Sequence, residues 1–157
     1  MARKPQSRGT CTYCGAEFAK SGAGRHLKKC SKRVEPIQVA EMSKLPTENL
    51  WHLRIQDAYA KDFWLDLEMR GSASLSTLDT YLRAIWLECC GHLSEFTFGG
   101  FGGTKIGKVR KADAVFSQGV SMQHLYDFGT TSETNIKVVG VRKGKALSKR
   151  PISLLAR

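Results

Sequence analysis

Residues 50–70 read LWHLRIQDAYAKDFWLDLEMR, and their periodicity decides the fold class. Leu50, His52 and Arg54 alternate with Trp51, Leu53 and Ile55, while Phe63, Leu65, Leu67 and Met69 alternate with Trp64, Asp66, Glu68 and Arg70. Successive side chains of a strand point to opposite faces, so this period of two predicts a pair of half-buried antiparallel strands with a turn over residues 57–62.

Downstream the period changes. Ser76-Thr77-Leu78-Asp79 has the character of a capping-box start, and Leu78, Tyr81, Leu82, Ile85, Trp86 and Cys89 then recur at three and four residues, which predicts a helix with one apolar stripe ended by Gly91. Strands are predicted again over residues 93–98, 122–126 and 135–141, with Asp127-Phe128-Gly129 as a turn between the last two. Ile152 to Leu155 suits a final strand or a short docking segment. Strands gathered around one or two helices give an α+β fold with a mainly antiparallel sheet, not a doubly wound one.

Upstream, Cys11, Cys14, His26 and Cys30 have the spacing Cys-x2-Cys-x11-His-x3-Cys. Four nitrogen and sulfur ligands suit a tetrahedral Zn²⁺, and His26 and Cys30 lie one helical turn apart. With all four positions filled by protein, the reading is one structural zinc that holds a module too small to bury its own core. Phe18 and Leu27 supply its apolar plug, Gly15 suits the turn after the second thiolate, and Ser21 to Gly24 make a weak helix start, so the helix is predicted from about Arg25. Residues 11–30 resemble the Cys-Cys-His-Cys variants of the single zinc-finger family, with Cys30 where the commoner finger has a second histidine.

Five cysteines is an odd number for a disulfide framework, and Met1 to Gly9 is basic with no apolar core of a signal peptide. No apolar run approaches a membrane span. These features favour a zinc site in a cytoplasmic, reducing setting.

The predicted organisation is a finger with basic flanks over 1–33, a linker over 34–48 marked by Pro36 and Pro46 with at most a short helical turn near Val39 to Lys44, and an α+β domain over 49–157, finger and body being separate units. Charge follows the same divisions. Residues 1–33 carry nine Lys/Arg against one Glu, 34–100 carry five against ten acids, and 101–157 carry eleven against three, for a net +11. A basic cluster of this density is an electrostatic footprint for phosphate. The candidate nucleic-acid contacts are Lys20, Arg25, Lys28, Lys29, Lys32 and Arg33 on the finger and Lys105, Lys108, Arg110 and Lys111 on the body. The alternative partner is an acidic protein surface, the chain's own middle block included. Sequence alone leaves DNA against RNA and the oligomeric state open.

Ser-Leu-Ser-Thr-Leu-Asp (74–79), Gly-His-Leu-Ser-Glu-Phe (91–96) and Tyr-Asp-Phe-Gly (126–129) occur in this order over residues 50–143. Together they resemble the plasmid open-reading-frame-three-like family, also described as similar to a passenger protein of a transposable element. The resemblance implies a compact α+β domain and no defined activity. Ser94 stands where that family commonly has a second histidine, and Thr130, Thr131 and Ser132 follow the turn where an Asp and a Trp are common. A site built on the histidine pair would be crippled, leaving His92, Glu95, His124 and Asp127 as the candidate acid–base group. Three of them also have a plain structural role: capping or turn for His92, backbone bonding for Asp127, solvent for Glu95. The structural roles are preferred. Adjacent Cys89 and Cys90 point about 100 degrees apart in a helix and are read as packing. Gly99-Gly100-Phe101-Gly102-Gly103-Thr104-Lys105 fits no phosphate-loop pattern and is read as a mobile hairpin loop.

Overall fold

The computed structural model describes residues 5–86, 88 and 90–157. In chain order the elements are β1 (Arg8–Thr10), β2 (Glu17–Ala19), α1 (Ala23–Lys29), α2 (Ser31–Ala40), β3 (Thr47–Asp57), β4 (Trp64–Arg70), α3 (Leu75–Ile85), β5 (Ser94–Phe98), β6 (Thr104–Ile106), α4 (Ala112–Val115), β7 (Ser121–Tyr126), β8 (Ser132–Lys145) and β9 (Ile152–Ala156). The fold is α+β. A small β1–β2 hairpin accompanies a seven-stranded sheet of order β6-β5-β7-β8-β3-β4-β9, and every pair in it is antiparallel. No helix among the described residues is long and apolar enough to cross a membrane.

The hairpin predicted over 50–70 forms, with Leu53 opposite Leu67 and Ile55 opposite Leu65. The odd-numbered residues of β3 and β4 make one face with Met122, Ile136 and Val138, and α3 closes it with Leu75, Leu78 and Leu82. Each fully buried side chain of this size contributes about 1.5–3 kcal/mol by leaving water. The cap of α3 is Ser74, whose Oγ accepts from the Thr77 N–H, two residues before the predicted start. The helix ends at Ile85, ahead of Gly91, which lies beyond it with φ +66°. Cys89, placed on the apolar stripe above, lies outside the described residues.

The other face differs from expectation. Alternation predicts that Asp66 and Glu68 face water, yet both are buried along with Trp64. The cover comes from the region expected to be separate. The predicted linker over 34–48 is helical as far as Ala40, with Pro36 inside α2. Proline in a helix interior removes one backbone bond, which is why the sequence reads as a break. Tertiary contacts outweigh that cost here: Arg33 on α2 is buried against Glu68, and Ala40 is buried as well. A short connection, residues 41–46, is all that joins α2 to β3.

Candidate metal centre

The β1–β2 hairpin turns over Cys11 to Ala16, closed by Cys11 N–H to Ala16 O (2.9 Å) and Gly15 N–H to Cys11 O (3.0 Å). Gly15 adopts φ +72°, a left-handed value that a side chain would strain. After a 3-10 turn at Lys20–Gly22, α1 presents His26 and ends on Cys30, whose N–H bonds His26 O at 2.8 Å. Cys30 also leads directly into α2, so the last ligand ties two helices.

These steps bring four donor atoms together. Cys11 Sγ lies 4.0 Å from Cys30 Sγ, Cys14 Sγ lies 3.3 Å from His26 Nε2, and all four donors fall within 4.8 Å of one another. A tetrahedral ion with thiolate bonds of about 2.3 Å needs sulfur–sulfur edges of about 3.8 Å. The cluster is therefore close enough to hold a metal ion. Backbone N–H donation from Ala16 lowers the Cys14 thiol pKa, whereas burial pushes that of Cys30 up. Beneath the donors Leu27 is buried, Phe18 stacks 4.9 Å from the His26 ring, and Leu155 of β9 completes the plug.

Leu155 belongs to the body, so the knuckle and the sheet share a core. Thr10 N–H donates to Arg157 O (2.7 Å), Thr12 N–H to Leu155 O (3.0 Å), and Arg157 N–H returns to Thr10 O (3.3 Å). The hairpin thus covers the β9 edge, which would otherwise offer unpaired backbone groups. A Cβ on Gly9 would lie 2.5 Å from the Trp64 ring, so only glycine permits this approach. Polar pairs seal the rest. Glu68 accepts from Arg33 (2.9 Å) and from both ends of the Arg142 fork (2.9 and 2.8 Å), and Arg33 also donates to Leu27 O (3.0 Å). Asp66 meets His52 Nε2 at 2.9 Å and is held by the Arg54 fork, which also reaches Lys20 O at 3.2 Å. Burial would raise the Asp66 pKa, but the His52 and Arg54 hydrogen bonds outweigh it and hold the carboxyl below its ordinary value.

The ten cationic candidates divide. Arg25, Lys28, Lys29 and Lys32 are exposed on α1 and the start of α2 and make no ion pair or hydrogen bond among the described residues. Arg33 is a correction: it is buried as the bridge between knuckle and sheet. Lys20 donates to Gln56 and Lys61 O. Lys105 pairs with Glu95, Lys108 with Asp79, and Arg110 donates to Ala114 O, while Lys111 is exposed. This second group lies at or next to β6, at the opposite end of the strand order from β9, so the two sets do not adjoin.

The acid–base group is not assembled. Phe96, not Glu95, stands opposite His124, so Glu95 and His124 point to opposite faces. His92 comes no closer than 3.8 Å to Asp127 in a half-exposed pair, and Asp127 accepts from its own turn at Gly129 N–H (2.9 Å). What the sequence reading missed is a buried cluster around Asp79, a residue expected only to cap the helix. His124 Nε2 lies 2.7 Å from Asp79 Oδ1, and Ser94 donates to the same oxygen (2.6 Å) while accepting from Arg83 (2.6 Å) and Lys108 (2.5 Å). Burial opposes ionisation of Asp79, but the His124 and Ser94 hydrogen bonds and the Lys108 charge drive its pKa well below the ordinary value. With its proton and both lone pairs engaged, Ser94 is a structural link and not a nucleophile. The one sequence signal was Ser94 itself, singled out above as a departure from the pattern the chain resembles.

No family model matches the chain, and no curated protein matches it. Among solved structures it is similar to MM3350, a Methanosarcina mazei Go1 protein of unknown function, at a TM-score of 0.56 and 15% identity over 69% of each chain. That likeness concerns the fold alone.

Proposed function

We propose that this chain is a zinc-stapled accessory protein that binds nucleic acid through the exposed basic face of its knuckle, with 49–157 a plasmid open-reading-frame-three-like domain of the kind associated with mobile elements. Three thiolates and one imidazole are the donor set of structural zinc, and a closed set leaves no position for substrate. The observation that carries the nucleic-acid reading is the placement of Arg25, Lys28, Lys29 and Lys32. All four are solvent-exposed and, among the described residues, unpaired, on helices that the metal ligands tie together. Cations fixed on a rigid support, with no internal partner to surrender, suit phosphate contact. A second reading, docking on an acidic protein surface, is favoured by the way Arg33 of the same segment already grips Glu68.

Gel shift across a salt series tests the proposal. The wild-type affinity should fall steeply with salt, and Lys28→Glu with Lys29→Glu should weaken binding and flatten the log–log slope by roughly one for each phosphate no longer neutralised. Absent or salt-insensitive binding would remove the nucleic-acid reading and leave the protein-docking one. One zinc per chain by elemental analysis tests the metal.

A further inference from the structure

The knuckle, α2 and the residues after it cover the polar face of the sheet over β9, β4, β3 and the C-terminal half of β8. Next to that cover a recess of about 310 Å³ opens on β3, β8 and β7. Strand register arranges its lining as two rows. Gln56, Asn135 and Gln123 stand opposite one another in the first, and Arg54, Lys137 and Ser121 in the second. Among the described residues the amide nitrogens of Gln56 and Asn135 and the ammonium of Lys137 have no hydrogen-bond partner. No carboxylate lines the recess among the described residues.

The glycine loop after β5 adds an aromatic group. Gly100 N–H donates to Gln123 Oε1 (2.8 Å) and Gly100 O accepts from Thr97 Oγ1 (2.8 Å), which pins the loop to the end of the amide row. One residue on, Phe101 is 69% exposed.

We infer that this recess binds one nucleotide of a single-stranded nucleic acid, a reading that rests on the proposed function above. The unpartnered carboxamide N–H groups of Gln56 and Asn135 are donors that base-edge acceptors match, and Phe101, one residue from the pinned Gly100, is the exposed ring of the loop that borders the row. The second row takes the phosphate through Lys137, the Arg54 guanidinium being already engaged by the buried Asp66. It is displaced from the amide row by two residues along each strand, about 6.8 Å, comparable to the reach from a nucleotide's phosphate to its base. Polarity is fixed as well: Glu133 stands beyond the amide row on the side away from Lys137, where it would repel a phosphate. A base in a duplex is paired and stacked, so its edge enters such a recess only if it is extruded, at a cost of a few kcal/mol. The site therefore selects single strands.

Fluorescence anisotropy with a labelled single-stranded deoxyadenosine 12-mer, and with its duplex, tests this. Asn135→Ala and Phe101→Ala change no charge and leave the apolar core intact. Each is expected to weaken single-strand binding about fivefold or more, with the salt slope and duplex binding unchanged. If both variants bind the single strand as the wild type does while Lys28→Glu with Lys29→Glu does not, the recess is excluded and the knuckle reading stands. Equal weakening on single strand and duplex would also overturn the inference, and a wild type that binds neither at any salt removes both readings.

Discussion

On one face of the sheet Leu53, Leu67 and Val138 meet Leu78 and Leu82 of α3; on the other, Asp66, Glu68 and Trp64 meet a knuckle with four metal-ligand side chains. Both faces are buried, but by different physics. The aliphatic face gains by area and accepts any apolar cover of the right shape. The polar face gains only where each charge meets a partner in the right place, since an unpaired buried charge costs several kcal/mol. Its cover has to be rigid, and a metal ion held by the four donors would supply that rigidity to about 30 residues with little core of their own. Donor cluster, buried ion pairs and sheet edge adjoin one another on this side, while α3 packs on the opposite face.

Chelation should divide the two faces most sharply. Removing the metal is expected to cost about 4 kcal/mol relative to a free-metal level a thousandfold above its Kd. The effect should appear as a red-shifted Trp64 emission and faster amide exchange in β1 and β9, with exchange in β3 and α3 little changed. Uniform deprotection across the sheet would break the comparison.

Glu68→Ala should have the next largest effect. It strands Arg33 and Arg142 without their shared carboxylate, and an uncompensated buried charge costs about 3 kcal/mol. Denaturant titration reads the destabilisation. A cost under about 1 kcal/mol would mean that the seam is hydrated and that the knuckle docks through its backbone bonds to β9 and its apolar contacts with Leu155 and Trp64.

Acid should have the smallest effect near neutrality. Asp66 and Asp79 both have folded pKa values below those of the unfolded chain, so their contribution is fully present above the ordinary carboxylate range and is lost as pH falls through the folded values. The contribution of these two carboxylates should be flat from pH 7 to about 5 and decline below about 4. Asp66→Asn should remove part of that decline from Trp64 emission, and Asp79→Asn should leave that readout unchanged.

The strands of 50–70 and the stripe on α3 were legible because apolar periodicity records which side of an element meets oil. The metal ligands were legible because their spacing records coordination chemistry. The same logic hid α2, since Pro36 is a local break signal and the contacts that override it come from Glu68, more than thirty residues away. It also hid the second buried face: Asp66 and Glu68 in alternation look like a solvated surface whether water or an arginine covers them. The Asp79 cluster was hidden for a related reason, because its members come from α3, β5, β7 and the loop after β6.

By itself the sequence determined the α+β class, the four donor residues and the basic termini, because each is written in local spacing or composition. Only the tertiary structure decided that the knuckle closes the sheet, that Arg33 is structural while Lys28 and Lys29 stay exposed, and that Gln56, Asn135 and Gln123 fall in one row. Those outcomes depend on strand register and on which charges find each other across the chain, and neither is encoded in any single stretch of residues.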